Sequence, residues 1–217
     1  MIEQNIKGSF GLGGITAQLV QLLEEGLMEG LFDTQCFDLV AVQSLAKNSK
    51  HFEVNAGFYA NPHNSGCAVN KLDIVMLGAL EIDTDFNVNV ISTSDGVISQ
   101  AAGGHPDTAA GANMSVILAP LIRSRIPIIV DKVTTVVTPG ETIDVVVTDY
   151  GIAVNPLRAD LIQKFKKANI KLYTINELKE IAERITGKPD KIEFNDKIVG
   201  IVQYRDGTVI DVIKQVK

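Results

Sequence analysis

Apolar residues at Ile15, Leu19, Leu22, Leu23 and Leu27 recur every three or four positions. That is the spacing of one helix face, and Gly26 and Gly30 mark its exit. The pattern then changes. Leu39-Val40-Ala41-Val42 is a continuous apolar run and predicts a short buried strand, with Ser44 to Lys47 as a helical turn or loop. From His51 to Asn70 the chain is polar, rich in Asn and Gly, and contains Asn61-Pro62. This predicts an irregular surface loop, of a length that is uncommon without a function. Ile74-Val75-Met76-Leu77 reads as a parallel strand covered on both faces. Further strands are predicted at 87–91, 115–118, 128–130, 133–137 and 145–147. Asn155-Pro156 offers an N-cap and first-turn pair for a helix through Lys167, and Asn176 a cap for a second helix ending near Gly187.

From Lys188 the texture is strand-like again, at Lys191 to Phe194 and Ile198 to Tyr204, and Asp206-Gly207 before Thr208-Val209-Ile210 is a hairpin signal. The whole predicts an α/β fold, a mostly parallel central sheet flanked by helices over residues 1–187. Residues 188–217 are expected to form a small C-terminal β-ribbon packed on it.

Composition narrows the class. A chain of 217 residues supports one substantial core, or a main core with a small appended unit. With 46% hydrophobic and 21% charged residues it has the make-up of an ordinary soluble globular protein. The net charge of -6 and the lack of basic clusters beyond Lys164-Phe165-Lys166-Lys167, itself a solvated helix end, argue against a nucleic-acid partner. Cys36 and Cys67 have no metal-ligand spacing, three histidines are scattered, and no charged-then-apolar leader is seen. No metal and a reduced, cytoplasmic setting are expected. No apolar run approaches the ~20 residues of a membrane span.

Candidate chemistry gathers at Gly103-Gly104-His105-Pro106-Asp107-Thr108-Ala109-Ala110-Gly111-Ala112. Paired glycines can expose consecutive N–H groups to an anion or a carbonyl oxygen, and Pro106-Asp107 suits the first turn of a helix that adds to that positive field. A plain strand-to-helix turn is the alternative. His105 is either exposed for function or bonded to backbone, and Asp107 fits a helix cap. Gly11-Leu12-Gly13-Gly14 is a second glycine-rich approach to a helix N-terminus, without the Lys-Ser/Thr end of a P-loop. Glu81 follows the 74–77 strand, where α/β proteins commonly place ligands. Asp83 and Asp85 suit a turn. Arg123 and Arg125 are solvated charges or partners of an anionic substrate.

Several blocks together resemble a known family. Gly78-Ala79-Leu80-Glu81-Ile82-Asp83, the Gly103-Gly104 turn with Asp107, Pro127 to Lys132, and Thr142 to Asp149 stand in the order found in the second half of family I CoA-transferases. Closer still, Gly8 to Thr16, Tyr59-Ala60-Asn61-Pro62, Asp85 to Val90, the 103–112 block and Thr138-Pro139-Gly140-Glu141-Thr142 are similar to the alpha chains of citrate lyase, from about Gly8 to Gly187.

The resemblance implies a CoA-transferase-type α/β half and an exchange of acetyl for citrate on the thiol of an acyl-carrier-protein prosthetic group. It also implies a beta chain that cleaves the citryl thioester to oxaloacetate, an acyl-carrier gamma chain, and an oligomer. No cofactor bound covalently to this chain is expected, the thioester riding on the CoA-like group of the carrier. Gly103, Gly104, His105 and Asn61 would supply oxyanion and positioning contacts, and Gly11, Gly13, Gly14, Glu81, Asp107 and Arg123 would touch substrate or the thioester arm.

Two departures qualify the resemblance. The Ser-Glu-Asn-Gly of most family I members is absent, and its counterpart, Asn55 to Asn61, holds no carboxylate. That implies transfer through a mixed anhydride of citrate and acetate, with no enzyme nucleophile. Only one of the family's two α/β halves is represented, as in a truncated chain or a split gene, so the missing N-terminal half would be needed for activity. Other readings are a non-catalytic acyl-CoA-binding or subunit-bridging module, and a relative acting on a phosphorylated sugar.

Overall fold

A computed structural model of the chain describes residues 1–93 and 95–217. The backbone divides into two compact units, Met1–Lys71 and Leu72–Lys217. Among the described residues no helix is long and apolar enough to cross a membrane.

The first unit is a parallel three-stranded sheet in the order β1 (Gly8–Ile15), β2 (Met28–Cys36), β3 (His51–Glu53), linked by α1 (Ala17–Glu24) and α2 (Leu39–Lys47). Ile15, Val20, Leu23, Met28, Leu31 and Ala41 form its core. The predicted first helix is present, and Gly26 (φ 70°) ends it, with the Leu27 N–H returning to the Leu22 carbonyl. The Leu39–Val42 strand is overturned, since these residues open α2. The Asp38 carboxylate explains why. Its Oδ1 accepts the Ala41 N–H at 2.9 Å and its Oδ2 the Ala17 N–H at 2.7 Å, so one side chain caps both helices. Helical periodicity then buries Ala41 and Ser44 and leaves Leu39, Val40 and Val42 exposed. The 51–70 segment is likewise more ordered than a loop: β3 is followed by α3 (Ala56–Ala60) with Asn55 as its N-cap, and by a 3-10 turn at Ala68–Lys71.

The second unit is built on a five-stranded sheet that uses β4 (Ile74–Leu77), β7 (Met114–Leu118), β11 (Val145–Val147), β12 (Ile152–Val154) and β13 (Leu172–Tyr173), ordered β13-β12-β11-β7-β4. β4, β7 and β11 run parallel, and β12 is antiparallel to β11. Alternation along these strands makes two packed faces. Val116, Val145 and Val154 meet Leu161 of α5 (Ala159–Lys167) on one side, and Ile117, Val146 and Ala153 share the main core with Leu178 and Ala182 of α6 (Ile175–Thr186) on the other. That core extends into a smaller sheet, β10-β5-β6, of β5 (Glu81–Asp83), β6 (Val88–Asn89) and β10 (Ile129–Val130). A hairpin of β8 (Ile122–Arg123) and β9 (Ile126–Pro127) precedes β10, and α4 (His105–Gly111) leads into β7. At the C-terminus β14 (Phe194–Gln203) and β15 (Val209–Val216) pair antiparallel through the Asp206-Gly207 turn. The α/β class, the parallel strands and the terminal ribbon are as expected.

Several details differ. β4 is an edge strand with Ile74 and Met76 exposed, not one covered on both faces. Residues 133–137 are no strand, because the Val133, Thr134 and Val136 N–H groups go to the carboxylates of Asp83, Glu81 and Asp211. Asn155 caps no helix: its buried amide donates to the Gly140 and Ile143 carbonyls, and α5 starts four residues later. Thr174, not Asn176, caps α6 in a reciprocal box with Glu177.

Candidate functional site

The Gly103-Gly104 pair makes the turn that the sequence suggests. Gly103 takes φ 53°, a left-handed conformation natural to glycine, and Gly104 is the N-cap of α4, with Pro106 in the first turn. The Gly104 carbonyl is held by the N–H and hydroxyl of Thr108, each at 2.9 Å. Among the described residues, neither the Gly103 nor the Gly104 N–H finds an intramolecular acceptor. These two amides remain available to a ligand oxygen.

His105 faces a cleft of about 240 Å³ whose walls are Gly78-Ala79-Leu80, Val90, Gln100 to Ala102 and Arg123. Its Nε2 lies 2.9 Å from the Gly78 carbonyl, which can only accept. Nε2 therefore carries the proton, and Nδ1, 2.7 Å from Thr138 Oγ1, accepts the hydroxyl proton. Burial holds the imidazole below its ordinary pKa, against the opposing pull of the Gly78 carbonyl, so it stays neutral. With both nitrogens engaged, His105 positions rather than transfers protons. Arg123 reaches the same wall, its Nη2 donating to the Ala79 carbonyl at 3.2 Å.

The remaining predicted residues fall elsewhere. Glu81 is buried and does not line the cleft: it accepts from Asn89 Nδ2 and the Thr134 N–H, both at 2.8 Å, and from Thr134 Oγ1 at 3.1 Å. Asp107 faces Arg205, in the turn of the terminal hairpin. Asn61 belongs to the first unit, at the end of α3, where its Oδ1 accepts the His63 N–H. Gly11, Gly13 and Gly14 lie in β1, a strand rather than a loop, so alternate amides are committed to the ladder with β2. A bulge between Gly13 and Gly14 needs Gly13 at φ 100°, and a Cβ on Gly14 would stand 2.1 Å from the Phe37 ring. The helix end that this segment approaches is already met by the Asp38 carboxylate.

A larger hollow of about 490 Å³ in the first unit is bounded by Glu24, Gln43 and Lys47 of α1 and α2. Its walls are polar faces of exposed helices, without paired glycines. No group of three or more His, Cys, Asp or Glu suited to a metal ion occurs among the described residues. Sequence reasoning placed Gly78 and Thr138 in motif blocks but gave neither a part in the site, since only the fold brings them to His105.

Comparisons with known proteins point one way. The citrate lyase alpha subunit (CitF) family pattern matches residues 1–216. The citrate lyase alpha chain of Klebsiella pneumoniae is 56% identical over all 217 residues, which make up 43% of that protein. A crystal structure described as the citrate lyase alpha subunit of Streptococcus mutans in complex with citrate superposes with a TM-score of 0.96 at 53% identity, over 100% of this chain and 43% of that one. A 4-hydroxybutyrate CoA-transferase from Porphyromonas gingivalis, at 15% identity and a TM-score of 0.51 over 84% of this chain and 53% of its own, shares the fold. The chain thus spans less than half the length of the alpha chains it matches.

Proposed function

The chain belongs to the citrate lyase alpha-subunit family, and from that premise we propose that it carries part of the citrate CoA-transferase site. The reaction exchanges acetyl for citrate on an acyl-carrier thioester. A citrate carboxylate adds to the acetyl carbonyl and the carrier thiolate leaves, giving a citric–acetic anhydride. The thiolate then attacks the citryl carbonyl and expels acetate. Both steps pass through a tetrahedral oxyanion, and neither needs an enzyme nucleophile, in keeping with the lack of a carboxylate between Asn55 and Asn61. What the protein must supply is proximity and donors aimed at the developing charge.

The observation that carries this reading is the glycine turn itself, which joins Ala102 to His105, two residues that line a cleft also lined by Arg123, and whose Gly103 and Gly104 N–H groups have no acceptor among the described residues. These amides would hold the oxyanion, Arg123 would attract a citrate carboxylate, and His105 would fix the wall. Glu81 and Asp107 act as supports of the fold. The rest of the alpha chain, the beta chain and the gamma carrier are the proposed partners, and the chain by itself is expected to be inactive.

Labelled acetate should exchange into the carrier thioester when the remaining alpha-chain portion and the other chains are supplied. Gly103→Val, whose side chain disfavours the φ of 53° that shapes the turn and orients both amides, should abolish that exchange while leaving the circular dichroism spectrum unaltered. Retained exchange removes the glycine turn from the reaction. A non-catalytic acyl-CoA-binding or subunit-bridging module, which the missing carboxylate also suits, would bind thioester without exchanging it.

A further inference from the structure

Among the described residues, none from β14 or β15 belongs to a buried hydrophobic cluster, and Ile198, Val199, Ile201 and Val209 are exposed. A lone two-stranded ribbon is marginal in water, so the few places where this one meets the second unit fix its position. One is apolar: a Cβ on Gly96 would stand 2.6 Å from Val216 Cγ2. Two are charged and directional. Arg205 Nε lies 3.4 Å from Asp107 Oδ1, with both side chains largely buried. Asp211 accepts the Val212 N–H of its own strand with Oδ1 and the Val136 N–H with Oδ2, each at 2.7 Å.

Both charged ties end beside His105. Asp107 stands two residues after it in the first turn of α4, and Val136 two residues before Thr138, whose Oγ1 is 2.7 Å from His105 Nδ1. Thr138 has a further anchor in its backbone bridge to Val88. The start of α4 is less constrained, because it follows the Gly103-Gly104 turn, where the backbone has wide torsional freedom. We propose that Arg205 and Asp211 are positioning residues: through them the ribbon clamps the start of α4 to the 136–138 segment and holds the His105 ring in the cleft wall. Neither residue lines the cleft. The bearing of the clamp on catalysis rests on the transferase reading, whereas the clamp itself does not.

The test uses the 15N-labelled chain, whose three histidines make ring-nitrogen spectra tractable. His105 should show a protonated Nε2 and a bare Nδ1. Arg205→Met combined with Asp211→Ala should broaden and average these two signals while the circular dichroism spectrum keeps its shape. Arg205→Met alone should do so to a lesser degree, and Arg205→Lys, which keeps the cation, should restore most of the separation. Gly26→Ala, a strained substitution in the first unit, should leave both signals in place. In the complete complex the double variant should lower the exchange kcat about ten-fold, more than it changes KM. Unmoved His105 signals in the double variant overturn the clamp, and so does equal broadening in Gly26→Ala, the mark of general loosening. Where the double variant does not fold, unmoved signals in Arg205→Met overturn it. Broadened signals with an unaltered kcat remove the clamp from the reaction. Absence of exchange in the unmodified complex sinks the transferase reading, and the spectra still decide the clamp.

Discussion

The guanidinium Nε of Arg205 lies 3.4 Å from Oδ1 of Asp107, and among the described residues neither atom has a hydrogen-bond partner. The pair fastens the turn of the terminal hairpin to α4, the helix that follows the glycine turn. A second tie runs from the Asp211 carboxylate to the Val136 N–H at 2.7 Å, beside Thr138. The hairpin therefore braces both segments that hold His105.

Removing the cation exposes the cost of the buried acid. Burial already raises the Asp107 carboxyl above its ordinary value and Arg205 pulls it back, so Arg205→Met should raise it further. An acid whose folded pKa exceeds its unfolded one destabilises the fold as pH rises through the ordinary Asp range, and fully so above the folded value. Arg205→Met should thus cost about 1 kcal/mol at neutral pH, as suits a part-exposed pair, and less near about pH 4. Urea denaturation at the two pH values checks it, and an equal loss at both contradicts the assignment.

A second buried group has a different balance. In the first unit Asp33 Oδ2 accepts from Cys36 Sγ at 2.8 Å and lies 3.1 Å from His51 Nε2, while His51 Nδ1 lies 3.0 Å from Ser44 Oγ. Asp33 Oδ1 has no hydrogen-bond partner among the described residues. His51→Leu strands this carboxylate and should cost about 3 kcal/mol or more, whereas His51→Leu with Asp33→Leu should recover much of it. Chemical denaturation of the two singles and the double measures the coupling, and additive losses would show that the ring does not serve Asp33. Burial, reinforced by Asp33, pushes the Cys36 thiol up to about 11, so it should resist alkylation at neutral pH.

Glycine positions separate crowding from conformation. A Cβ on Gly140 would stand 1.9 Å from the Asp85 carbonyl oxygen, in a segment pinned by Asn87 Oδ1 and Asn155 Nδ2. Gly26 has φ 70° but open space around it. Gly140→Ala should cost more than about 3 kcal/mol because backbone must move, and Gly26→Ala only about 1 kcal/mol of left-handed strain. Thermal melts that rank them in the opposite order would refute the crowding at Gly140.

These contacts also show what the sequence could and could not reveal. Periodicity found α1, β7, β11 and the Asp206-Gly207 hairpin because the signals are local. Leu39 to Val42 misled, since an apolar run of four fits a strand and an exposed helix turn equally, and what decides it is an Asp38 carboxylate shared with α1. The 133–137 strand failed for a related reason: its donors are satisfied by carboxylates distant in sequence. Of the site, the glycine turn was legible because positive φ selects glycine. Glu81 was not, because whether a carboxylate at a strand end faces solvent or Thr134 is settled only by packing.

Arg123 offers the sharpest distinction between substrate contact and wall support. Its Nη2 donates to the Ala79 carbonyl, and Arg123 also lines the cleft. If it meets a citrate carboxylate in the ground state as well as in the transition state, Arg123→Met should raise the KM for citrate about ten-fold or more with little change in kcat. Arg123→Lys should recover only part, because an ammonium cannot hold a carboxylate and the Ala79 carbonyl in one planar fork. Steady-state exchange at varied citrate separates the cases. A fall in kcat alone, with KM unmoved, would mean that Arg123 serves only the Ala79 carbonyl and that the citrate carboxylate is bound elsewhere.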